Sequence, residues 1–250
     1  MLSNKIKYFI IFFFLMGASS ASAIEPSGDL TLLTVEDKTR VYAHFYRAMN
    51  NNQKIVLLFH QAGSNSMEYE PVLSAFHLAG FDTLAVDQRS GGTRWGVDNL
   101  TVKRLGASTD YAEAYPDLEA ALEYAVKRKY KKILVVGSSY SASLAIVLAS
   151  KNPDKIMAVA AFSPGEYFPD KNWIKTAAAK LEVPLYITST DNERQRVEEV
   201  ITRANENDND VTYYRPLNSV HGISTLRKDM NPEGYKTNQD NFSEFLNRFK

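Results

Sequence analysis

Five short runs of unbroken apolar sequence set the limits on this fold: Ile55 to Phe59, Thr83 to Val86, Ile133 to Val136, Val159 to Phe162 and Leu185 to Thr188. A strand with one wet face alternates apolar and polar residues, whereas a continuous run suits a strand covered on both faces, as in a parallel sheet flanked by helices. Between the runs lie segments of helical character: Tyr69 to Ala79, Tyr115 to Arg128, Tyr140 to Ser150, Trp173 to Lys180 and Glu193 to Asn205. The second of these carries Leu118, Leu122, Ala125 and Val126 on one stripe. Upstream, Leu30 to Val35 and Val41 to Arg47 flank the polar stretch Glu36-Asp37-Lys38-Thr39 and read as a hairpin. Downstream, Val211 to Tyr214 is a last strand, and Asp240 to Lys250 is an amphipathic helix bearing Phe242, Phe245, Leu246 and Phe249. The expected fold class is α/β: a doubly wound, mostly parallel sheet of about eight strands with an antiparallel hairpin at its start. No repeat, low-complexity tract or Pro/Gly-rich linker marks a second domain, so residues 24–250 are expected to form one.

Residues 1–23 are expected to stand outside that domain. Lys5 and Lys7 precede an apolar run from Tyr8 to Met16, and the small residues Ala21-Ser22-Ala23 follow. This is the pattern of a secretory signal peptide cut after Ala23, which predicts a periplasmic or secreted protein. The run is far shorter than the roughly 20 residues that cross a bilayer, although an uncleaved anchor is the competing reading; cleavage leaves no stable membrane anchor. The chain has no cysteine, hence neither a disulfide nor a lipoprotein acylation site. Its 29 basic and 29 acidic side chains are interspersed, which argues against nucleic acid as a partner. Oligomeric state is left open.

In an open parallel sheet the site lies beyond the carboxyl ends of the strands. After Ile133 to Val136 comes Gly137-Ser138-Ser139-Tyr140-Ser141, then the small-residue segment Ala142-Ser143-Leu144-Ala145. A sharp strand-to-helix turn there exposes the Ser139 hydroxyl beside the positive end of a helix, while a Ser-rich helix cap is the alternative. After Leu185 to Thr188 comes Asp191, a carboxylate able to orient an imidazole or simply to cap a helix; Glu193 and Glu166 compete with it. Beyond the last strand, Asn218-Ser219-Val220-His221-Gly222 places one of four histidines in a loop. The other three, His44, His60 and His77, lie in the hairpin, at a strand end and in a helix, without metal-ligand spacing. Neither a metal nor a cofactor is expected.

Nucleophile, acid and base in the order Ser139, Asp191, His221, each at a strand end, resemble the α/β-hydrolase superfamily over essentially the whole chain after the leader. That resemblance implies catalytic roles for Ser139, Asp191 and His221. It aligns Phe59-His60-Gln61-Ala62-Gly63-Ser64 with the family's oxyanion segment, so that the backbone N–H groups of Ala62 and Tyr140 form the oxyanion hole. The sequence departs from the family at Gln61 and Ser141, where glycine is usual. Asp87-Gln88-Arg89-Ser90-Gly91-Gly92 resembles the family's Asp-x-Arg-Gly-x-Gly turn and reads as scaffold. The short stretch from Phe162 to Leu185 leaves no room for a large lid, as in small esterases and dienelactone hydrolases. The implied activity is hydrolysis of a small carboxylic ester or lactone. The alternative is a catalytically silent fold used for binding or signalling. The long connection Gln88 to Ala114, with Trp95, Tyr111 and Tyr115, and the downstream Tyr167, Phe168 and Trp173 are candidates for an aromatic wall.

Overall fold

The computed structural model describes residues 28–49 and 53–250; the expected signal peptide and its cleavage point lie outside them. Strands β1 (Asp29–Thr34) and β2 (Arg40–Tyr46) form the hairpin. Its turn is closed by Lys38 N–H donating to Val35 O at 2.8 Å. Then follow β3 (Lys54–Phe59), α1 (Leu73–Leu78), β4 (Asp82–Asp87), α2 (Leu100–Leu105), α3 (Tyr115–Lys127), β5 (Lys132–Ser138), α4 (Tyr140–Lys151), β6 (Ile156–Phe162), α5 (Trp173–Ala178), β7 (Leu185–Thr188), α6 (Arg194–Ala204), β8 (Val211–Tyr214) and α7 (Tyr235–Asn247). They build one eight-stranded sheet in the order β1-β2-β4-β3-β5-β6-β7-β8. Only β2 runs against its neighbours, β1 and β4; every other pairing is parallel.

The apolar runs are continuous because helices cover both faces of the sheet. Along β3, Ile55, Leu57 and Phe59 enter a core with α3 to α6, while Val56 and Leu58 enter a second core with α1 and α7. In the second core Phe242 of α7 meets Phe76 and Phe162 edge-on, at 5.8 and 5.2 Å between ring centroids. Helix α4 is buried from Tyr140 to Ala149, which explains its run of small and apolar residues.

Two expected segments take a different form. The stretch Tyr69 to Ala79 is broken: short 3-10 turns at Ser66–Glu68 and Glu70–Val72 precede α1, because Pro71 has no amide proton to continue a helical ladder through that point. The long connection from Gln88 to Ala114 is built rather than loose. It contains α2, capped at one end by Asn99 Oδ1 accepting the Val102 N–H at 2.9 Å and at the other by Gly106 at φ 85°. Helix α7 also starts earlier than expected, at Tyr235.

The parallel registers align the strand ends. Phe59 lies beside Gly137, Ser138 beside Phe162, Phe162 beside Thr188, and Thr188 beside Tyr214. The loops leaving β3, β5, β6, β7 and β8 therefore open on one rim.

Candidate active site

At the end of β5 the chain reverses into α4 through Ser139, which holds φ 61° and ψ −125°. A non-glycine residue with that backbone is strained, and such strain persists only where the surroundings enforce it. Here they do. Ser139 N–H donates to Phe162 O at 2.8 Å, and a Cβ on Gly137 would stand 2.3 Å from Ser141 O and 2.5 Å from Ala142 Cα, so only glycine fits. Ser141, where glycine was expected, is fully buried, with its hydroxyl 2.6 Å from Phe59 O and 2.7 Å from His60 O. It therefore ties the elbow to the end of β3. Ser139 is nearly covered, at 7% exposure.

The acid differs from expectation. Thr190 and Glu193 form a reciprocal cap around the turn Asp191–Glu193, with the Thr190 N–H donating to Glu193 Oε2 at 3.1 Å. That cap swings Glu193 inward and leaves Asp191 exposed. Glu193 Oε1 is hydrogen-bonded to His221 Nδ1, and its Oε2 also accepts the Ser163 hydroxyl at 2.7 Å. The carboxylate that orients His221 is thus Glu193, and the assignment of that role to Asp191 is corrected. Glu166, the other competitor, is occupied elsewhere: it accepts the N–H groups of Ile174 and Lys175 at the start of α5. Burial pushes the Glu193 carboxyl up, but hydrogen bonds from His221 and Ser163 outweigh it and hold the group at about 2. It is the ionised partner an imidazole needs.

The loop that carries His221 is fastened to β5, the strand that leads into Ser139. Ile223 N–H donates to Ser138 Oγ and Gly222 N–H to Ser163 Oγ, both at 3.0 Å. A Cβ on Gly222, which sits at φ 67°, would lie 2.4 Å from Ser138 Oγ and 3.9 Å from Ser139 N. The His221 side chain is 40% exposed. Ser163 escaped the sequence reading. The available signal was its place directly after β6, on the same rim as the others.

The expected oxyanion donors are the N–H groups of Tyr140, directly after Ser139, and of Ala62, in the loop after β3. The N–H of Tyr140, first residue of α4, has no intrahelical acceptor by its position. Ala62 N–H makes no hydrogen bond among the described residues. The carbonyl of the same peptide, Gln61 O, is held from behind by His60 Nδ1 at 2.8 Å. His60 Nε2 accepts the Gln88 N–H at 3.0 Å, so Nδ1 carries the proton; burial pushes its pKa down and keeps the ring neutral. His60 is a brace for the loop. Asp87 likewise accepts the N–H groups of Ser66 and Leu100, each at 2.8 Å, and Arg89 is paired with buried Asp117 and with Asp37.

The aromatic candidates divide. Tyr167 donates to Ser163 O at 2.9 Å, with the Ser139 side chain beside its hydroxyl. Tyr111 stacks on Tyr140 at 4.6 Å. Trp95 donates to Ser64 Oγ at 2.8 Å, and the Arg227 guanidinium lies 3.7 Å from its ring centroid. Phe168 and Tyr115 instead pack around Trp173 in the core, at 4.8 and 6.3 Å, so this half of the expected wall is structural.

Residues 50–214 match the family described as serine aminopeptidase, S33, of the hydrolase-4 group. The chain belongs to that family. The α/β-hydrolase fold is seen equally in solved structures. An esterase from Pyrococcus furiosus is similar with a TM-score of 0.69 at 19% identity, over 89% of this chain and 92% of that one. A dienelactone hydrolase from Anabaena variabilis is similar with a TM-score of 0.62 at 14% identity, over 88% and 96%. A monoacylglycerol lipase from Paleococcus ferrophilus is similar with a TM-score of 0.62 at 15% identity, over 84% and 99%. No curated protein sequence matches. This α/β-hydrolase keeps the strand order and elbow of the fold with serine in place of the elbow's second glycine, and connects β6 to β7 through the single short helix α5.

Proposed function

We propose that the protein is an exported serine hydrolase that cleaves a small carboxylic ester or lactone through an acyl-enzyme on Ser139. The observation that carries this reading is the buried Glu193 carboxylate on His221 Nδ1, itself braced by Ser163; Nε2 of the imidazole has no hydrogen-bond partner among the described residues and, in this reading, serves the Ser139 hydroxyl. Ser139 Oγ attacks the carbonyl carbon and its proton passes to His221. The oxyanion is received by the N–H groups of Ala62 and Tyr140. Collapse expels the alcohol, which takes the proton from His221; water then attacks the acyl-enzyme, giving its proton to the imidazole, and the second collapse releases the acid as Ser139 Oγ takes that proton back. For a lactone the departing hydroxyl stays attached to the acyl chain.

Tyr167 lies beside the Ser139 side chain and Tyr111 stacks on Tyr140, and this aromatic border around a nearly covered serine favours small acyl groups over long ones. Residues 1–23 act as a cleaved export signal in this reading, leaving residues 24–250 as one hydrolase domain in the periplasm or outside the cell. The test is turnover of chromogenic esters graded in acyl length by the wild type and by Ser139→Ala. Hydrolysis by the wild type alone is expected, with covalent labelling of Ser139 by a fluorophosphonate. Equal turnover by the two proteins would refute the mechanism, and a wild type that takes no label would favour a binding protein.

A further inference from the structure

A fully buried carboxylate lies behind this site and takes no part in the chemistry described above. Glu68 ends the 3-10 turn Ser66–Glu68, which is set by Asn65 Oδ1 accepting the Met67 N–H and by Asp87 accepting the Ser66 N–H. Its Oε2 accepts the backbone N–H of Gln61 at 3.0 Å. Its Oε1 accepts Gln61 Nε2 at 3.3 Å and the Ser138 hydroxyl at 2.7 Å. Ser138 Oγ in turn accepts the N–H of Ile223, two residues beyond His221. One side chain thereby joins the loop that carries the Ala62 donor, the residue before the nucleophile, and the loop that carries the base.

Among the described residues no cationic side chain forms an ion pair with this carboxylate. Arg227 donates to the Glu68 backbone carbonyl at 2.9 Å and pairs with Asp229. A buried carboxylate held by hydrogen bonds alone is costly to fold, and an apolar side chain of similar size would pack the same space at less expense. Its contacts are also selective, for all three donors belong to segments that must keep fixed mutual geometry during acyl transfer. Gln61, which replaces the family's glycine, supplies two of them.

We infer that Glu68 is a positioning residue that holds the oxyanion loop, the nucleophile elbow and the histidine loop in register. This rests on the serine-hydrolase reading and extends it to the part of the molecule that preorganises the site. Donors aimed in advance at the developing oxyanion are effective because they do not reorganise during reaction, and a displacement on the order of 1 Å costs about 10²-fold in rate. Glu68→Gln keeps size and shape but turns an N–H toward one of the three donors, so the loops lose their common anchor.

The deciding experiment compares wild type, Glu68→Gln and Ser138→Ala in ester turnover and in affinity for an arylboronic acid, whose tetrahedral adduct on Ser139 places an oxygen where the oxyanion forms. Glu68→Gln is expected to lower kcat roughly 10- to 100-fold with KM within about threefold, and to weaken the boronate in parallel. Ser138→Ala shifts both in the same direction. Unchanged kcat in folded Glu68→Gln overturns the inference, as does a loss expressed in KM or one that spares boronate affinity. If Glu68→Gln does not fold, wild-type kcat in Ser138→Ala overturns it. An inactive wild type defeats the hydrolase reading and this one together, whereas an active wild type with unaltered variants defeats this one alone.

Discussion

Which of two neighbouring acids faces the imidazole is decided by one threonine. Thr190 and Glu193 satisfy each other's backbone N–H groups, and that reciprocal cap turns Glu193 toward His221 and Asp191 toward water. Glu193→Gln is therefore expected to lower kcat by about 10² to 10⁴, since the imidazole loses both its orientation and the charge that stabilises its protonated form. Asp191→Asn is expected to stay within about twofold of wild type, a surface change. Steady-state kinetics of the two variants checks the assignment, and the reverse ranking would restore Asp191. The same carboxyl has a pH signature. Its folded pKa of about 2 lies below the ordinary value of about 4.3, so its contribution to stability is complete above that ordinary value. The contribution drains away as pH falls toward 2. Thermal melting of wild type and Glu193→Gln should thus converge between about pH 5 and pH 2; a constant gap would contradict the linkage.

At the scale of the element, the elbow stands on residues on either side of Ser139. Gly137 is required by backbone contacts that cannot give way, and Ser141 supplies a buried hydroxyl to the carbonyls at the end of β3. Ser141→Ala removes that donor and is expected to cost about 1–3 kcal/mol, read as a lowered denaturation midpoint at unchanged m-value. An unchanged midpoint would mean that the hydroxyl is filler. These contacts were partly legible. The motif Gly137 to Ser141 announced a turn, but the acceptor of Ser141 lies some eighty residues earlier in the chain, beyond any local pattern. For the same reason Ser163 and Glu68 went unread: each is an ordinary polar residue until the sheet sets its strand end beside the others. Asn99 and Gly106, by contrast, carry a local cap signal for α2 within the connection from Gln88 to Ala114.

Across the whole molecule, the early hairpin and the middle of the chain are clamped by Arg89, which donates from Nε to Asp117 Oδ1 at 2.9 Å and from Nη1 to Asp37 Oδ2 at 2.6 Å. Arg89→Ala would leave Asp117 buried without its cation and is expected to cost about 3–5 kcal/mol, seen as a fall in melting temperature. A second expectation follows from the short connection between β6 and β7, which holds only α5. With no large lid in that connection to displace, a short-chain ester should be hydrolysed without a rate jump at its solubility limit. A sharp jump there would show a cover that this connection does not supply.

Sequence alone determined the α/β class, the number and positions of the strands, the hairpin, and the candidacy of Ser139 and His221. Each of these is written in short-range patterns: unbroken apolar runs, turn residues, and chemistry placed at strand ends. Tertiary structure decided which acid reaches the base, what holds the elbow, and which aromatics border the site rather than fill the core. Those outcomes depend on side chains from different strands meeting across a rim, where the sheet's register, rather than adjacency along the chain, sets who touches whom.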